Sequence, residues 1–197
     1  GSDELTTLRR TERDGLTPLE RKHIRVLEAL RRVLPDDGMV FTDMTQIAYT
    51  AYSFFPCRRP RSWFFPAGYG TLGYALPAAI GGKLAAPDRP TAVLVGDGGF
   101  LFTMQELATA VEQRLPIAII LWNNNSLAQI RDGMKSRGIP TISVNQLNPD
   151  YLTGAAGFGC RTTRPDGFAA FEAALAAAFA ADRPTVIELR EEAGFLG

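Results

Sequence analysis

The sequence contains little cysteine or histidine, with two cysteines and one histidine among 197 residues. Cys57 and Cys160 lie far apart and without the spacing of zinc ligands, which argues against a Cys/His zinc site. We interpret them as reduced thiols of a cytoplasmic protein, with a single disulfide as the alternative. His23 falls on the first predicted helix, where a surface or packing role fits better than that of a catalytic base.

The sequence also has no excess of either charge, because 21 Lys and Arg residues balance 21 Asp and Glu residues. This balance argues against nucleic acid or an anionic membrane surface as the main partner. No apolar run is long enough to span a membrane, and no signal-peptide pattern is visible. We therefore expect a cytoplasmic protein with neither a nucleic-acid nor a membrane partner.

The chain is long enough for one domain with a substantial core, since 46% of its residues are apolar. Residues 1–16 are polar and show no apolar period, which predicts a flexible lead-in or linker. The domain itself is expected over residues 17–192, followed by a tail at 193–197. Thr17-Pro18 with Glu20 has the pattern of a helix start.

A strand, a helix and a second strand follow one another in the middle of the chain. The strands are predicted at 91–95 and 117–122, and the helix at 103–114, where Thr103 and Glu106 match a capping box. Both strands are almost wholly apolar, as strands covered on two faces must be. Such a unit has parallel strands. Together with the further strands and helices predicted on either side, it indicates a doubly wound α/β fold with a mainly parallel sheet and helices on both faces.

Polar residues stand directly after both of these strands. Asp97 follows the first within a run of glycines, residues 96, 98 and 99, and Asn123 to Asn125 follow the second. Because the carboxyl ends of parallel strands share one edge of a sheet, the carboxylate and the carboxamides should lie close together. Oxygen ligands of this kind form a partial shell for Mg²⁺, completed by water and phosphate oxygens. Glycines let main-chain N–H groups approach a phosphate closely. The pattern predicts a metal-bridged diphosphate.

The spacing of these residues resembles one family. "GDG" followed, after 24 residues, by "NN" is similar to the cofactor motif of thiamine-diphosphate enzymes, especially the acetolactate synthase and 2-oxo acid decarboxylase branch. "TDMTQIAY" (42–49) and "GYGTLGYALPAAIGGKLA" (68–85) resemble two further segments of its diphosphate-binding domain. The resemblance covers about residues 18–190 and implies thiamine diphosphate and Mg²⁺ as cofactors.

The resemblance also implies roles for individual residues. The metal ligands would be the side chains of Asp97 and Asn124 and the carbonyl of Ser126. The carbonyl of Gly70 and the N–H of Leu72 would meet the aminopyrimidine, and the Leu72 side chain would enforce the bent shape of the cofactor. The complete set of cofactor-binding residues implied is Gln46, Gly70, Thr71, Leu72, Gly96, Gly98, Gly99, Ser126 and Leu127.

Thiamine catalysis in this family also needs a glutamate on a pyrimidine-binding domain, which nothing in this sequence matches. The resemblance therefore implies no catalytic residue in this chain and a pyrimidine-binding domain or subunit as its partner. It further implies a homo- or hetero-oligomer, either a dimer or a tetramer built of dimers. The chain is expected to be inactive alone, as a piece of a larger enzyme or the small subunit of a split one.

The expected substrate is a 2-oxo acid, and its identity depends on finer features. Thr45 and Ile47 replace the glycine and histidine that acetolactate synthases carry around the glutamine. "DMTQ" and "IRDGM" resemble decarboxylases of 5-guanidino-2-oxopentanoate instead, so non-oxidative decarboxylation is the first expectation. An acetolactate-synthase-type carboligase is the alternative, and a non-catalytic assembly module of the same fold is an alternative of another class. Leu127, Gln129 and Ile130 are candidates for the substrate pocket.

A rival motif lies at Gly68, Gly70 and Gly73, which match the dinucleotide pattern G-x-G-x-x-G. Pro66 is unfavourable for a strand ending directly before this motif, and no acidic residue follows at the end of a next strand. We therefore rank a nicotinamide-dinucleotide site well below the thiamine site.

Overall fold

The computed structural model describes residues 7, 11–145 and 147–197. Most of the predicted lead-in, residues 1–6 and 8–10, lies outside the described residues; residues 11–14 are helical, and Arg13 lies 2.9 Å from Glu28. The predicted tail packs onto the domain through Leu196, which is 1% exposed. Within the described part of the chain, no helix is both long and apolar enough to cross a membrane.

The described chain alternates between helices and strands. The helices are α1 (Pro18–Val33), α2 (Gln46–Phe54), α3 (Ala75–Ala85), α4 (Asp97–Thr103), α5 (Leu107–Glu112), α6 (Ala128–Ser136), α7 (Tyr151–Gly157) and α8 (Phe168–Phe179). The strands are β1 (Met39–Thr42), β2 (Trp63–Phe64), β3 (Thr91–Gly96), β4 (Ile117–Asn123), β5 (Arg161–Thr163) and β6 (Thr185–Arg190).

The strands form one sheet in the order β2-β1-β3-β4-β6-β5, and every pair is parallel. Side chains alternate between its two faces, so that Leu94 of β3 belongs to one apolar core and Val95 to the other. Helices α1, α2 and α8 cover the first face, and α3, α4, α5 and α7 cover the second. The doubly wound α/β prediction is confirmed.

The strand order places a switch point between β1 and β3. After β1 the chain crosses to β2 on one side, and after β3 it crosses to β4 on the other. Neighbouring strands whose connections leave in opposite directions open a crevice beyond their carboxyl ends, where ligands bind in this class of fold. The segments that follow β1, β3 and β4 therefore face a common space.

Helix α1 begins as its sequence predicts. The Thr17 hydroxyl accepts a hydrogen bond from the Glu20 amide at 3.2 Å, and the Glu20 carboxylate accepts one from the Thr17 amide at 2.8 Å. Pro18 occupies the first turn, where its missing N–H has no cost. The capping box thus fixes the start of the helix that covers one face of the sheet.

The crossover between β3 and β4 differs from the prediction. Helix α4 begins at Asp97, directly after β3, and a 3₁₀ turn at Met104–Glu106 joins it to α5. Thr103 makes no capping hydrogen bond, so the predicted capping box is wrong. The chain is already helical there, because Thr103 is the last residue of α4. Phe100 of the same helix is fully buried, and its ring centroid lies 5.9 Å from that of Tyr151.

The two cysteines are both free thiols, so the alternative of a single disulfide is wrong. Cys57 is exposed, whereas Cys160 is buried in the second core. Burial raises the pKa of the Cys160 thiol to about 11, which keeps it protonated and unreactive at neutral pH.

Candidate cofactor and metal site

The segments that follow β1, β3 and β4 border one open cleft of about 180 Å³. Nearly all of the residues predicted to bind the cofactor or the metal line it: Gln46, Gly70, Leu72, Gly96, Asp97, Gly98, Gly99, Asn124, Ser126 and Leu127. Thr71 is the exception, because it is exposed and does not line the cleft. The candidate pocket residues Gln129 and Ile130 lie on the cleft wall as well.

Asp97 is a buried carboxylate, 3% exposed, at the first position of α4. Its Oδ1 accepts a hydrogen bond from the Gly98 amide at 2.9 Å. Its Oδ2 accepts from the Ser126 amide at 3.2 Å and from Asn148 Nδ2 at 2.7 Å. These three donors offset the cost of burying the group. They also tie the end of β3 to the loop that follows β4.

Asn124 contributes an oxygen that is buried and has no hydrogen-bond partner. Its Nδ2 donates to Gln46 Oε1 at 3.0 Å and approaches Glu191 Oε2 at 3.4 Å, which fixes the orientation of the amide. An unsatisfied buried acceptor costs about 1–3 kcal/mol. A cation that accepts this oxygen as a ligand would remove that cost.

The loop formed by residues 123–126, here called the asparagine loop, turns sharply in the middle. Asn125 has φ +54°, in the left-handed region where asparagine is tolerated better than most residues. The turn brings Ser126 beside Asp97, and the Ser126 hydroxyl and the Leu127 amide both donate to the Val144 carbonyl. The segment around Val144 therefore fixes the end of the asparagine loop through these two hydrogen bonds.

Two glycines of the Gly-Asp-Gly-Gly run are required by packing against the loop after β1. A Cβ on Gly96 would lie 2.8 Å from Thr45 Oγ1, and one on Gly99 would lie 2.3 Å from Asp43 Oδ2. Both distances are too short for any side chain. These glycines therefore let β1 and β3 approach each other at the switch point, a reason that the sequence interpretation, centred on phosphate, did not include.

Asp43 is a structural residue of the site that sequence reasoning missed. Its carboxylate is fully buried and accepts hydrogen bonds from the amides of Gly73 at 2.8 Å and Ala75 at 2.7 Å. Burial raises the pKa of this carboxyl group, and the backbone donors partly oppose the rise. Asp43 thereby anchors the segment in which Gly70 and Gly73 adopt positive φ values of 62° and 81°. The available signal was a carboxylate directly after an apolar strand.

His23 does not line this cleft, and of the three glycines of the dinucleotide motif only Gly70 does. His23 is 1% exposed and packs edge-on against Trp122, so of the two predicted roles the packing role is confirmed. Gly68 is exposed and lies outside the cleft lining. The three glycines follow a loop and precede α3 without a strand directly before them, unlike a dinucleotide-binding turn.

Comparison with known proteins identifies the family. Residues 43–189 match the family described as thiamine pyrophosphate enzyme, C-terminal TPP binding domain. The chain belongs to this family. Thiamine pyrophosphate is another name for thiamine diphosphate, so the resemblance inferred from the sequence is confirmed.

Curated and solved relatives of this thiamine pyrophosphate enzyme domain include several decarboxylases. It is 48% identical over 184 residues to the probable 2-ketoarginine decarboxylase of Pseudomonas aeruginosa, covering 93% of this chain and 33% of that protein. It is 33% identical to the acetolactate synthase isozyme 1 large subunit of Escherichia coli, over 87% of this chain and 31% of that protein. The thiamine diphosphate-dependent 4-hydroxybenzoylformate decarboxylase of Rhodococcus jostii superposes with a TM-score of 0.79 at 32% identity, over 85% of this chain and 32% of that one.

These figures show that the thiamine pyrophosphate enzyme domain spans about a third of the length of such relatives. Its cleft fits Mg²⁺ and a diphosphate on the evidence of its own residues. A buried carboxylate and an unpartnered carboxamide oxygen, on Asp97 and Asn124, belong to residues that line the same cleft. Within the described residues no cluster of three His, Cys, Asp or Glu side chains could hold a metal. A site of this composition leaves several coordination positions for phosphate and water, as Mg²⁺ prefers.

Proposed function

We propose that Asp97, Asn124 and the carbonyl of Ser126 bind the Mg²⁺ that holds the diphosphate of thiamine diphosphate. The observation that carries the proposal is that Asn124, whose Oδ1 is buried and unpartnered, lines the same cleft as the buried carboxylate of Asp97. Oxygen ligands of mixed charge suit Mg²⁺, whose remaining positions are filled by phosphate and water. Gly98 and Gly99 would offer main-chain contact to the diphosphate.

The rest of the cleft supports the same assignment. Gln46, which accepts from Asn124, would contact the diphosphate from the first position of α2. Gly70, Thr71 and Leu72 belong to the segment anchored by Asp43 and would contact the aminopyrimidine side. Leu72 is half-buried on the cleft wall, where an apolar side chain would impose a bent shape on the cofactor. Gly96 and Leu127 complete the binding set.

The reaction that we propose is the non-oxidative decarboxylation of a 2-oxo acid. When bound, thiamine diphosphate supplies the electron sink for the loss of CO₂. The residues of this chain would orient the cofactor and exclude water from it. The activating glutamate would come from a pyrimidine-binding domain or subunit, because the chain spans only about a third of its relatives. A homo- or hetero-oligomer in the cytoplasm, with both cysteines reduced, is part of the proposal.

The substrate that we favour is 5-guanidino-2-oxopentanoate, also called 2-ketoarginine. The support is the 48% identity to a probable 2-ketoarginine decarboxylase over 93% of the chain. Carboligation of the acetolactate synthase type is the second candidate, supported by 33% identity over 87% of the chain. Leu127, Gln129 and Ile130 line the cleft and would contribute to the substrate pocket.

The metal site can be tested with one substitution and a matched control, made in this chain assembled with the pyrimidine-binding domain. Asp97→Asn keeps the shape of the side chain and removes its charge. We expect at least about a tenfold loss of Mg²⁺-dependent thiamine diphosphate affinity in calorimetry. Asp88→Asn, an exposed aspartate before the opposite end of β3, should leave the affinity unchanged. If wild type itself bound no cofactor, the interpretation as a non-catalytic assembly module would replace the interpretation as an enzyme.

A further inference from the structure

Asn148 contacts the asparagine loop from a distant part of the sequence. It lies between α6 and α7, and its Nδ2 is 2.7 Å from Asp97 Oδ2, 3.1 Å from Asn123 Oδ1 and 3.2 Å from Asn125 Oδ1. A carboxylate can only accept, so the donor group of the Asn148 amide must face it. One side chain thus connects the end of β3 with two residues of the asparagine loop.

These contacts distribute the hydrogen-bonding capacity of Asp97 unevenly. Each oxygen of an ionised carboxylate can accept about two hydrogen bonds. Oδ2 accepts two, from the Ser126 amide and from Asn148, and is saturated. Oδ1 accepts one, from the Gly98 amide, and retains one free acceptor position. The oxygen left for a metal ion is therefore Oδ1.

We propose that Asn148 is a positioning residue that saturates Oδ2 of Asp97 and so presents Oδ1 to the cation as a single ligand oxygen. This inference rests on the Mg²⁺ site proposed above. A ligating carboxylate that is itself hydrogen-bonded loses the freedom to rotate or to bind through both oxygens. Loss of such an outer partner typically weakens metal binding by about 10- to 100-fold.

A second observation fits a supporting role for Asn148, which does not line the cofactor cleft but lines a neighbouring cavity together with Asn123 and Asn125. Its Oδ1 is buried and lacks a hydrogen-bond partner, as does Oδ1 of Asn124. Among the described residues, these are the only buried side-chain carbonyl oxygens without a partner, and both belong to side chains that contact the asparagine loop or form part of it. The two unpartnered carboxamide oxygens of the described residues thus both occur at the asparagine loop, whereas the other unpartnered buried polar side-chain atoms belong to His23, Thr42 and Thr185.

The test is a titration of Mg²⁺ into this chain assembled with the pyrimidine-binding domain, at saturating thiamine diphosphate and well below the unfolding temperature. Asn148→Ala should weaken the calorimetric Mg²⁺ affinity by about 10- to 100-fold. Asn148→Ser, whose hydroxyl is too short to reach Asp97, should do the same and serves if the alanine variant does not fold. The matched control is Asn145→Ala, in the same segment, where the side chain is exposed and only the backbone pairs with Ser126. The control should bind Mg²⁺ as wild type does.

Thermal unfolding without metal separates positioning from folding. A purely structural role for Asn148 predicts a lower unfolding temperature with unchanged Mg²⁺ affinity, and that result would overturn the inference. The inference would also be overturned if wild type bound Mg²⁺ and both Asn148 variants bound it with an affinity within twofold of wild type. If wild type did not bind Mg²⁺ and thiamine diphosphate at all, the proposed function itself would be wrong, and the inference with it.

Discussion

At the level of single residues, close packing between Gly99 and Asp43 fixes a segment that borders the cleft. Asp43 Oδ2 occupies the position that a Cβ on Gly99 would need, and this oxygen is held by the Gly73 amide. The carboxylate therefore cannot swing away without releasing the segment that carries Gly70 and Leu72. The absence of a side chain at Gly99 therefore lets helix α4 pack closely against the loop after β1.

We expect Gly99→Ala to lower the free energy of unfolding by about 1–3 kcal/mol, because the added methyl overlaps a carboxylate that cannot move freely. Chemical denaturation of the purified chain measures the difference. Gly133→Ala is the matched control, since Gly133 lies within α6 and has no atom within 4 Å of an added Cβ. That substitution should be neutral or stabilising by up to about 1 kcal/mol. Equal stability of the two variants would show that Asp43 is not fixed in place.

The sequence predicted the candidate metal ligands more completely than the residues that hold them in place by hydrogen bonds. Asp97 and Asn124 could be inferred because each directly follows an apolar strand and parallel strands end at one edge. Asn148 could not, because its contact to Asp97 spans 51 positions along the chain and depends on the path of an irregular segment. Asp43 gave a weak signal, since a single carboxylate after a four-residue strand resembles an ordinary loop residue.

At the level of elements, His23 lies at the contact between α1 and α2. Its Nδ1 lies 2.8 Å from the Thr50 hydroxyl, and its ring packs against Trp122 with the centroids 4.8 Å apart. Burial lowers the pKa of His23 from an ordinary 6.5 to about 4; nearby Glu20 partly opposes the change and Lys22 adds to it. Neutral histidine is thus part of the folded core.

This shift makes stability depend on pH. The unfolded chain binds a proton at His23 below pH 6.5, whereas the folded chain does so only near pH 4. The contribution of neutral His23 to the free energy of unfolding is therefore complete above pH 6.5 and is lost as the pH falls towards 4. The loss amounts to up to about 3 kcal/mol, since each unit of pKa difference corresponds to about 1.36 kcal/mol. Comparing the unfolding free energies of wild type and His23→Asn from pH 7 to 4 isolates it. Parallel curves for the two proteins would show that His23 does not titrate in this way.

The elements themselves were predictable where they are long and periodic. The two strands of the central unit and helix α1 follow from apolar pattern and capping, and all three are present. Strand β2 was missed because it has two residues, both half-buried, and is positioned by pairing with β1 and by the stacking of Phe64 on Phe41. The Thr103 capping box failed because the helix begins earlier, at Asp97, so that Thr103 is its last residue and not its cap.

At the level of the whole molecule, the cleft is partly open to solvent. The chain supplies the switch point, the asparagine loop and the Asp43-anchored segment, whereas its relatives are about three times as long. A cofactor bound here would be enclosed only after another domain covered the opening. Enclosure matters because water-excluded sites strengthen the electrostatic interactions on which catalysis depends.

We therefore expect the isolated 197-residue chain to bind Mg²⁺ and thiamine diphosphate weakly and to decarboxylate no 2-oxo acid. Adding the pyrimidine-binding domain should restore turnover. A coupled assay for released CO₂, with 5-guanidino-2-oxopentanoate and pyruvate as substrates, measures both states. Turnover by the purified chain alone would refute the requirement for a second domain.

The sheet terminates at its two edges in very short strands, β2 with two residues and β5 with three. An approaching polypeptide would find too few free backbone groups there to extend the hydrogen-bonded ladder. Larger assemblies of this chain should consequently be built through loops and helical surfaces, and self-association into fibres by strand addition should be suppressed.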